Sequence, residues 1–569
     1  MELAAAARRH ERSRSGDQPP RPLPRALTRM LRRVGVLALT LLIAVPGAAA
    51  AAERPPAPND PYYSEQWALR AEAANGVDLL ETWRFGQGAG IVVAVLDTGV
   101  TDHPEFAGRV LAGYDFISDP TRAGDGDGRD ANPRDEGDWV TADDVASRRY
   151  GTECTETSDS SWHGTHVAGT ILAAANNGTG IAGIAPLAQL LPIRVIGHCG
   201  GSLSDLIDAM RWAGGLTVPG VPENPTPAKV LNISLVVERA CSAALQSAVD
   251  ELSARGVVIV TAVGNENTEA SRFAPANCIG TLTVGASAVS GDRAPYSNYG
   301  AAVDLSAPGG TNTRSGAIVS AYDEGRTTPS QSSYASTAGT SMAAPHVSGV
   351  LAAILAAEPD LPRADLFTLL FANLAPFPAG SSCAQLVGLC GGGLISGARL
   401  YAAFSARVAP LVAYSAVAEL AIGASAPVSA TIDGAAATLT LETPTICSLA
   451  AGSVTAIASG TCILRSTRAG SATIQPVNLG ITIVVPGNTP TLSLVLPQRL
   501  KVGRRVDPVM TTTSDAAPTL TSRTPRICKV GTSGRVRAIA AGTCKIRIEV
   551  AATVTYAARK LTIAVRVTR

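Results

Sequence analysis

The run Ile91–Leu96 (IVVAVL) constrains this chain more than any other feature. It lacks the alternation of a half-buried strand and has the continuous apolar character of a strand covered on both faces of a parallel sheet. Leu190–Ile196, Val230–Leu235 and Val257–Val263 read the same way. Helix-length stretches lie among and after them, at His163–Ala175, Ser204–Ala213, Ala240–Ala254 and Ser341–Ala356. Strands alternating with helices of this length predict an α/β fold over residues 53–404, a doubly wound and mostly parallel sheet flanked by helices. Hydrophobic residues make up 46% of the chain and aromatics only 4%, so its core is built from Ala, Val, Ile and Leu. The 55 Gly and 37 Pro exclude a long helical or coiled-coil architecture.

After about residue 405 Thr, Val, Ser and Ala dominate and helical patterns vanish. The stretches 437–470 and 518–551 share TP-x-IC, then V-x-AIA, then GTC-x-I, offset by 81 residues at the first cysteine and 82 at the second. Short strands with one cysteine pair per repeat predict two small all-β, sandwich-like modules, at 405–486 and 487–569. They resemble bacterial immunoglobulin-like domains. A repeated β module names no partner by itself, so both are read as spacers, with a cell-surface or matrix ligand as the alternative.

Residues 1–52 read as a secretory signal peptide. The apolar run Val34–Val45 follows Arg32-Arg33 and ends in Pro46-Gly47 and Ala48–Ala52. It is too short to span a bilayer comfortably, so a secreted, extracellular protein with no membrane attachment after cleavage is expected. Met30 begins a complete signal by itself, which makes residues 1–29 an extension upstream of the true start. The net charge of +1 gives no global steering toward nucleic acid or an anionic membrane. Ten cysteines, an even number in an exported chain, favour disulfides. Neighbouring pairs (Cys154/Cys199, Cys241/Cys278, Cys383/Cys390, Cys447/Cys462, Cys528/Cys544) are the working hypothesis, since connectivity does not follow from sequence. The absence of C-x-x-C argues against zinc.

Chemistry concentrates in four segments. VAVLDTGVTDHPEF (93–106) sets Asp97 at the end of a buried strand, and HGTHVAGT (163–170) opens a helix with His163. GTSMAAPHVSGV (339–350) puts Ser341 near another helix start, and TAVGNENT (261–268) presents Asn265 after a strand and a glycine turn. A serine hydroxyl becomes a nucleophile when a neutral imidazole takes its proton, and a buried carboxylate holds that imidazole in one tautomer. The order Asp, His, Ser is one of the known orders of such a triad. Asn265 and the Ser341 backbone N–H supply donors for the oxyanion.

Together the four segments resemble the subtilase family of serine peptidases over roughly residues 59–404. DPYYSEQWAL, GYDFISDP and GDGDGRDANPRDEGDW look closest to its secreted, disulfide-containing bacterial members. The resemblance implies peptide-bond hydrolysis through a Ser341 acyl-enzyme, with no organic cofactor. It also implies an extended polypeptide substrate paired with two strand edges, Gly200-Gly201-Ser202 and Ser234-Leu235-Val236, beside Gly264. The family usually continues Ser-Leu with Gly-Gly. Here Val236 and Val237 stand there, which predicts a narrowed pocket for the residue before the scissile bond. Only some six residues, Glu53 to Pro58, separate the signal from the peptidase segment, where the family carries a folding-assisting pro-segment. This leaves a catalytically silent scaffold, or an adhesion protein working through its C-terminal repeats, as the alternatives. The loop Ala175–Ile181 matches a subtilase loop that binds structural calcium, which implies Asn177, Thr179 and Ile181 as ligands with Glu105. Asp125 and Asp127, in an acidic stretch continuing through Asp130, Asp135 and Asp138, are a second candidate cation site. Its alternative is a solvated loop.

Overall fold

The apolar runs form the centre of a seven-stranded sheet: β1 (Val92–Asp97), β2 (Tyr114–Asp115), β3 (Gln189–Arg194), β4 (Val230–Ile233), β5 (Val258–Ala262), β6 (Leu282–Ser287) and β7 (Leu305–Pro308). A computed structural model describes residues 54–71, 75–152 and 154–569, so the signal-peptide reading lies outside the described residues. The strand order is β2-β3-β1-β4-β5-β6-β7, and every pairing is parallel. From β1 the chain runs to the edge at β2, comes back inward through β3 beside β1, then crosses to β4 and continues outward on the other side. The carboxyl ends of β1 and β4 therefore flank a topological switch point, the usual place for function in an open α/β sheet.

Both faces of the sheet are covered, as unbroken apolar strands require. Val93 and Val95 enter one core with Val167, Ile171, Val347 and Leu351. Ala94 and Leu96 enter a second with Leu206, Met210, Leu245 and Val249. The first core holds helices α1 (His163–Leu172) and α4 (Thr340–Ala357), and the second holds α2 (Leu203–Ala213) and α3 (Ala243–Ala254). Helix α1 stops three residues before the sequence pattern suggests, because Ala173 leaves helical geometry to start the loop beyond it. Helix α3 starts at Ala243 because the Ser242 hydroxyl accepts the Leu245 N–H, a side-chain cap.

The repeats fold around separate cores, Cys447, Val454, Cys462, Leu464 and Ile481 in one, and Cys528, Val536, Cys544, Ile546 and Val565 in the other. In the second, β8 (Arg499–Lys501), β10 (Thr519–Ser522), β13 (Gly542–Val550) and β14 (Arg559–Thr568) form a sheet in the order β8-β14-β13-β10. Its partner sheet is β9-β12-β11, from β9 (Arg505–Val506), β11 (Cys528–Val530) and β12 (Val536–Ala538). All five neighbouring cysteine pairs are bonded. The first repeat is not a loose appendage. Arg407 and Glu358, 5% and 7% exposed, form a bidentate buried ion pair, and the Ala472 N–H bonds Asp365.

Candidate active site

Asp97 ends β1 fully buried. Its Oδ1 accepts the backbone N–H of Thr98 at 2.8 Å and lies 2.7 Å from Nδ1 of His163. His163 is the first residue of α1, and Trp162 before it takes a left-handed conformation (φ 46°). That conformation costs a non-glycine residue energy. It is held because the indole is buried and donates to the Gly325 carbonyl at 2.6 Å. Burial disfavours the imidazolium, but the Asp97 charge and hydrogen bond, with Asp138 and Asp135 farther off, raise the His163 pKa above its ordinary value. Thr98 ties the two elements together. Its hydroxyl donates to Asp135 at 2.5 Å and accepts the Gly164 N–H at 3.0 Å.

Leu96 pairs with Ile233, so Asp97 and Ser234 leave adjacent strand ends, about 5 Å apart across a sheet. Ser234 holds Ser341 by two reciprocal bonds. Its hydroxyl donates to the Ser341 carbonyl at 2.9 Å, and Ser341 Oγ donates to the Ser234 carbonyl at 3.0 Å. The Ser341 hydroxyl is thus turned to Ser234 and not to His163. Behind Ser234 lies a buried polar chain missed in the sequence: Ser348 Oγ donates to Asn232 Oδ1, and Asn232 Nδ2 donates to Ser234 Oγ.

Asn265 follows β5. Its Oδ1 accepts the Thr340 N–H at 2.9 Å and the Thr340 hydroxyl at 3.0 Å. A peptide N–H can only donate, so the amide oxygen must face it and the NH2 is left to donate elsewhere. Thr340 Oγ1 also accepts the Gly264 N–H at 3.1 Å. The sequence reading overlooked Thr340. Its only signal was its place beside Ser341 in GTSM.

Gly200, Gly201, Ser202, Leu235 and Val236 line one cavity of about 410 Å³. The Ser202 hydroxyl caps α2 by accepting the Asp205 N–H, so its side chain is spent locally. Gly264 has φ 102°, and a Cβ there would meet Val236 Cγ2 at 3.2 Å and the Glu266 carboxylate at 2.7 Å. Position 264 therefore admits only glycine, and Val236 lies beside the turn that carries Asn265.

The sequence matches the Subtilase family over residues 88–385. The chain belongs to the subtilase family. It is 45% identical over 340 residues to an extracellular protease of Xanthomonas campestris, covering 60% of this chain and 56% of that one. It is 49% identical over 302 residues to an extracellular basic protease of Dichelobacter nodosus, covering 53% and 48%. This subtilase thus spans about half the length of those two relatives. With thermitase of Thermoactinomyces vulgaris it shares 32% identity across 86% of that protein. A solved protease structure from Pseudoalteromonas arctica superposes with a TM-score of 0.57 at 42% identity, over 61% of this chain and 99% of that one.

Around the expected calcium loop the subtilase gathers Asp60 and Glu105. Asp60 accepts the N–H groups of Asn176 and Asn177. Glu105, 1% exposed, accepts from Ile181 N–H and the Tyr334 hydroxyl through Oε1, while Oε2 has no partner. Burial raises its pKa. Asn177 Oδ1 accepts the Thr179 N–H. The carboxylates of the acidic stretch face different partners. Asp125 pairs with the fully buried Arg194, which also holds Asp115. Asp135 is buried on Thr98, and Asp138 accepts from Ser161. Asp125 and Asp127 are in contact only through the Asp127 N–H at 3.5 Å. Among the described residues no three His, Cys, Asp or Glu side chains converge on a metal position. His103, His198 and His346 each contact a backbone carbonyl, at Ser333, Trp139 and Met342.

Proposed function

We propose that this subtilase is a secreted serine endopeptidase with Asp97, His163 and Ser341 as its triad. The observation that carries the reading is the pairing of adjacent strand ends, one holding the 2.7 Å Asp97–His163 contact and the other holding Ser341 through Ser234. In the reaction His163 takes the Ser341 proton as Oγ turns from the Ser234 carbonyl toward the imidazole and attacks the scissile carbonyl. Asp97 keeps the Nδ1–H in place and stabilises the imidazolium. The Asn265 NH2 and the Ser341 N–H, at the start of an 18-residue helix, meet the oxyanion. His163 then returns the proton to the leaving amine, and water cleaves the Ser341 acyl-enzyme by the same route.

The substrate lies extended between Gly200-Gly201-Ser202 and Ser234-Leu235-Val236, with Val236 and Gly264 beside the residue before the scissile bond. The peptidase segment runs over 53–404, with modules at 405–486 and 487–569. Calcium is a structural ion held by Glu105, Asn177 and the carbonyls of Thr179 and Ile181. The unpartnered, buried Glu105 Oε2 fits that role, and the ion offsets carboxylate charge without entering a chemical step.

The test compares the parent with Ser341→Ala on casein. The parent digests casein, and the variant falls by several orders of magnitude toward background. The bond from Ser341 to the Ser234 carbonyl is what a silent scaffold would keep permanently. Fluorophosphonate labelling separates the two readings, since only an activated serine reacts.

A further inference from the structure

The near-zero charge of the whole chain conceals an uneven distribution. Residues 487–569 carry fifteen Lys and Arg against three Asp and Glu, whereas residues 53–404 carry twenty against thirty-seven. Residues 405–486 are balanced at three each. The excess in the second module is arranged across its strands. Arg499 of β8 pairs in register with Arg566 of β14, which faces Thr543 of β13. Two residues on, Lys545 lies beside Arg523, and Arg547 faces Thr521. Lys545, Arg547 and Glu549 alternate with the buried Cys544, Ile546 and Ile548, so they share the outer face. Five of these six cations, Lys560 included, are exposed, and Arg547 is half-buried. Glu549 is the one carboxylate in the array, 3.9 Å from both Arg547 and Lys560. The opposite sheet repeats the device. Arg505, Arg537 and Lys529 sit side by side across β9, β12 and β11, all exposed. Among the described residues none of Arg499, Arg505, Arg523, Arg537, Lys529, Lys545 and Arg566 has an ion-pair partner.

Like charges directly opposite one another destabilise a sheet. A module that keeps them on both faces is built to take up anions. We propose that residues 487–569 bind an acidic polysaccharide, a linear polymer with about one carboxylate or sulfate per sugar. Three features favour this occupant. Cations on both faces suit a flexible chain that wraps, whereas a planar lipid surface can touch only one. Neighbouring strands place charges about 4.8 Å apart, sparse beside the one per ~1.7 Å of duplex DNA. Tyr556 is the single aromatic residue of the segment, so no stacking platform for bases exists there. The acidic peptidase segment repels the same polymer, which leaves the cleft clear. This inference does not depend on the peptidase reading, because its readout is binding.

The experiment measures retention of the full chain on immobilised polygalacturonate, with neutral dextran, duplex DNA and phosphatidylglycerol vesicles as parallel arms. Retention on polygalacturonate alone or most tightly is expected, weakening roughly 300-fold between 50 and 200 mM salt for about six contacts at a slope of about −0.7 per contact. Joint Arg499→Glu and Lys545→Glu substitution, reversing one member of each facing pair, should cut affinity at least tenfold. Its melting point should not fall, since the repulsion is relieved, and casein digestion should be unchanged. No retention at 50 mM salt, equal retention on dextran, tighter binding to DNA or vesicles, indifference to charge reversal, or salt-sensitive self-association in place of polymer binding would each overturn the proposal.

Discussion

Removing the Thr340 hydroxyl tests whether Asn265 is an oxyanion donor aimed by its neighbour. Thr340 contacts Asn265 Oδ1 twice, through its N–H at 2.9 Å and its hydroxyl at 3.0 Å. Asn265→Ala deletes the donor itself and is expected to lower kcat by about 10²–10³, with KM little changed. Thr340→Val leaves the N–H hold intact and deletes one hydrogen bond, worth about 1 kcal/mol net, so a fall of about tenfold or less is expected. The same substitution orphans the Gly264 N–H. A stability loss of about 1–3 kcal/mol should accompany it, read from thermal unfolding. Thr340→Ser keeps the hydroxyl and should restore both quantities. The decisive measurement is the double variant on a chromogenic peptide under saturating substrate. Acting only through Asn265, Thr340→Val should cost almost nothing further in kcat once Asn265 is Ala. Additive losses would refute the argument and give Thr340 a separate role.

Three further outcomes are expected. Val236→Gly removes the side chain beside Gly264, so peptide-library profiling should move from small toward large and aromatic residues before the scissile bond. A parent profile already dominated by large aromatics would refute the narrowing. Chelation should lower the melting temperature by a few degrees, reflecting about 2.7 kcal/mol at a hundredfold excess of calcium over its Kd, and an unchanged curve would remove the metal. Because His163 must be neutral to accept a proton and its pKa is raised, fluorophosphonate labelling should fall on acidification with a midpoint above about 6.5. Asp97→Asn should shift that midpoint down while slowing labelling by orders of magnitude.

The parts of this molecule legible in the sequence are those where one short segment carries both a candidate side chain and its own structural cue. Asp97 closes an unbroken apolar strand, His163 opens a helix, and Ser341 opens another. The parts that escaped depend on partners far along the chain. Nothing near Asp125 announces that its counterion is Arg194, and nothing near Thr340 announces Asn265. Strands β6 and β7 read LTVGAS and LSAP, too short and too mixed to signal burial, although every residue in them is buried. The basic C-terminal rows were hidden by summation, since a total of +1 cancels segments of opposite sign.

The pairing of Arg407 with Glu358 restricts where this chain can be shortened. A cut just before residue 407 would leave the Glu358 carboxylate, 7% exposed, without its guanidinium. The same cut removes Gly470 and Ser471, which close over the pair, so Glu358 is released to water and the contact between the two parts is lost. Any processing that sheds the tail and keeps this contact must therefore leave a stub reaching past Ser471.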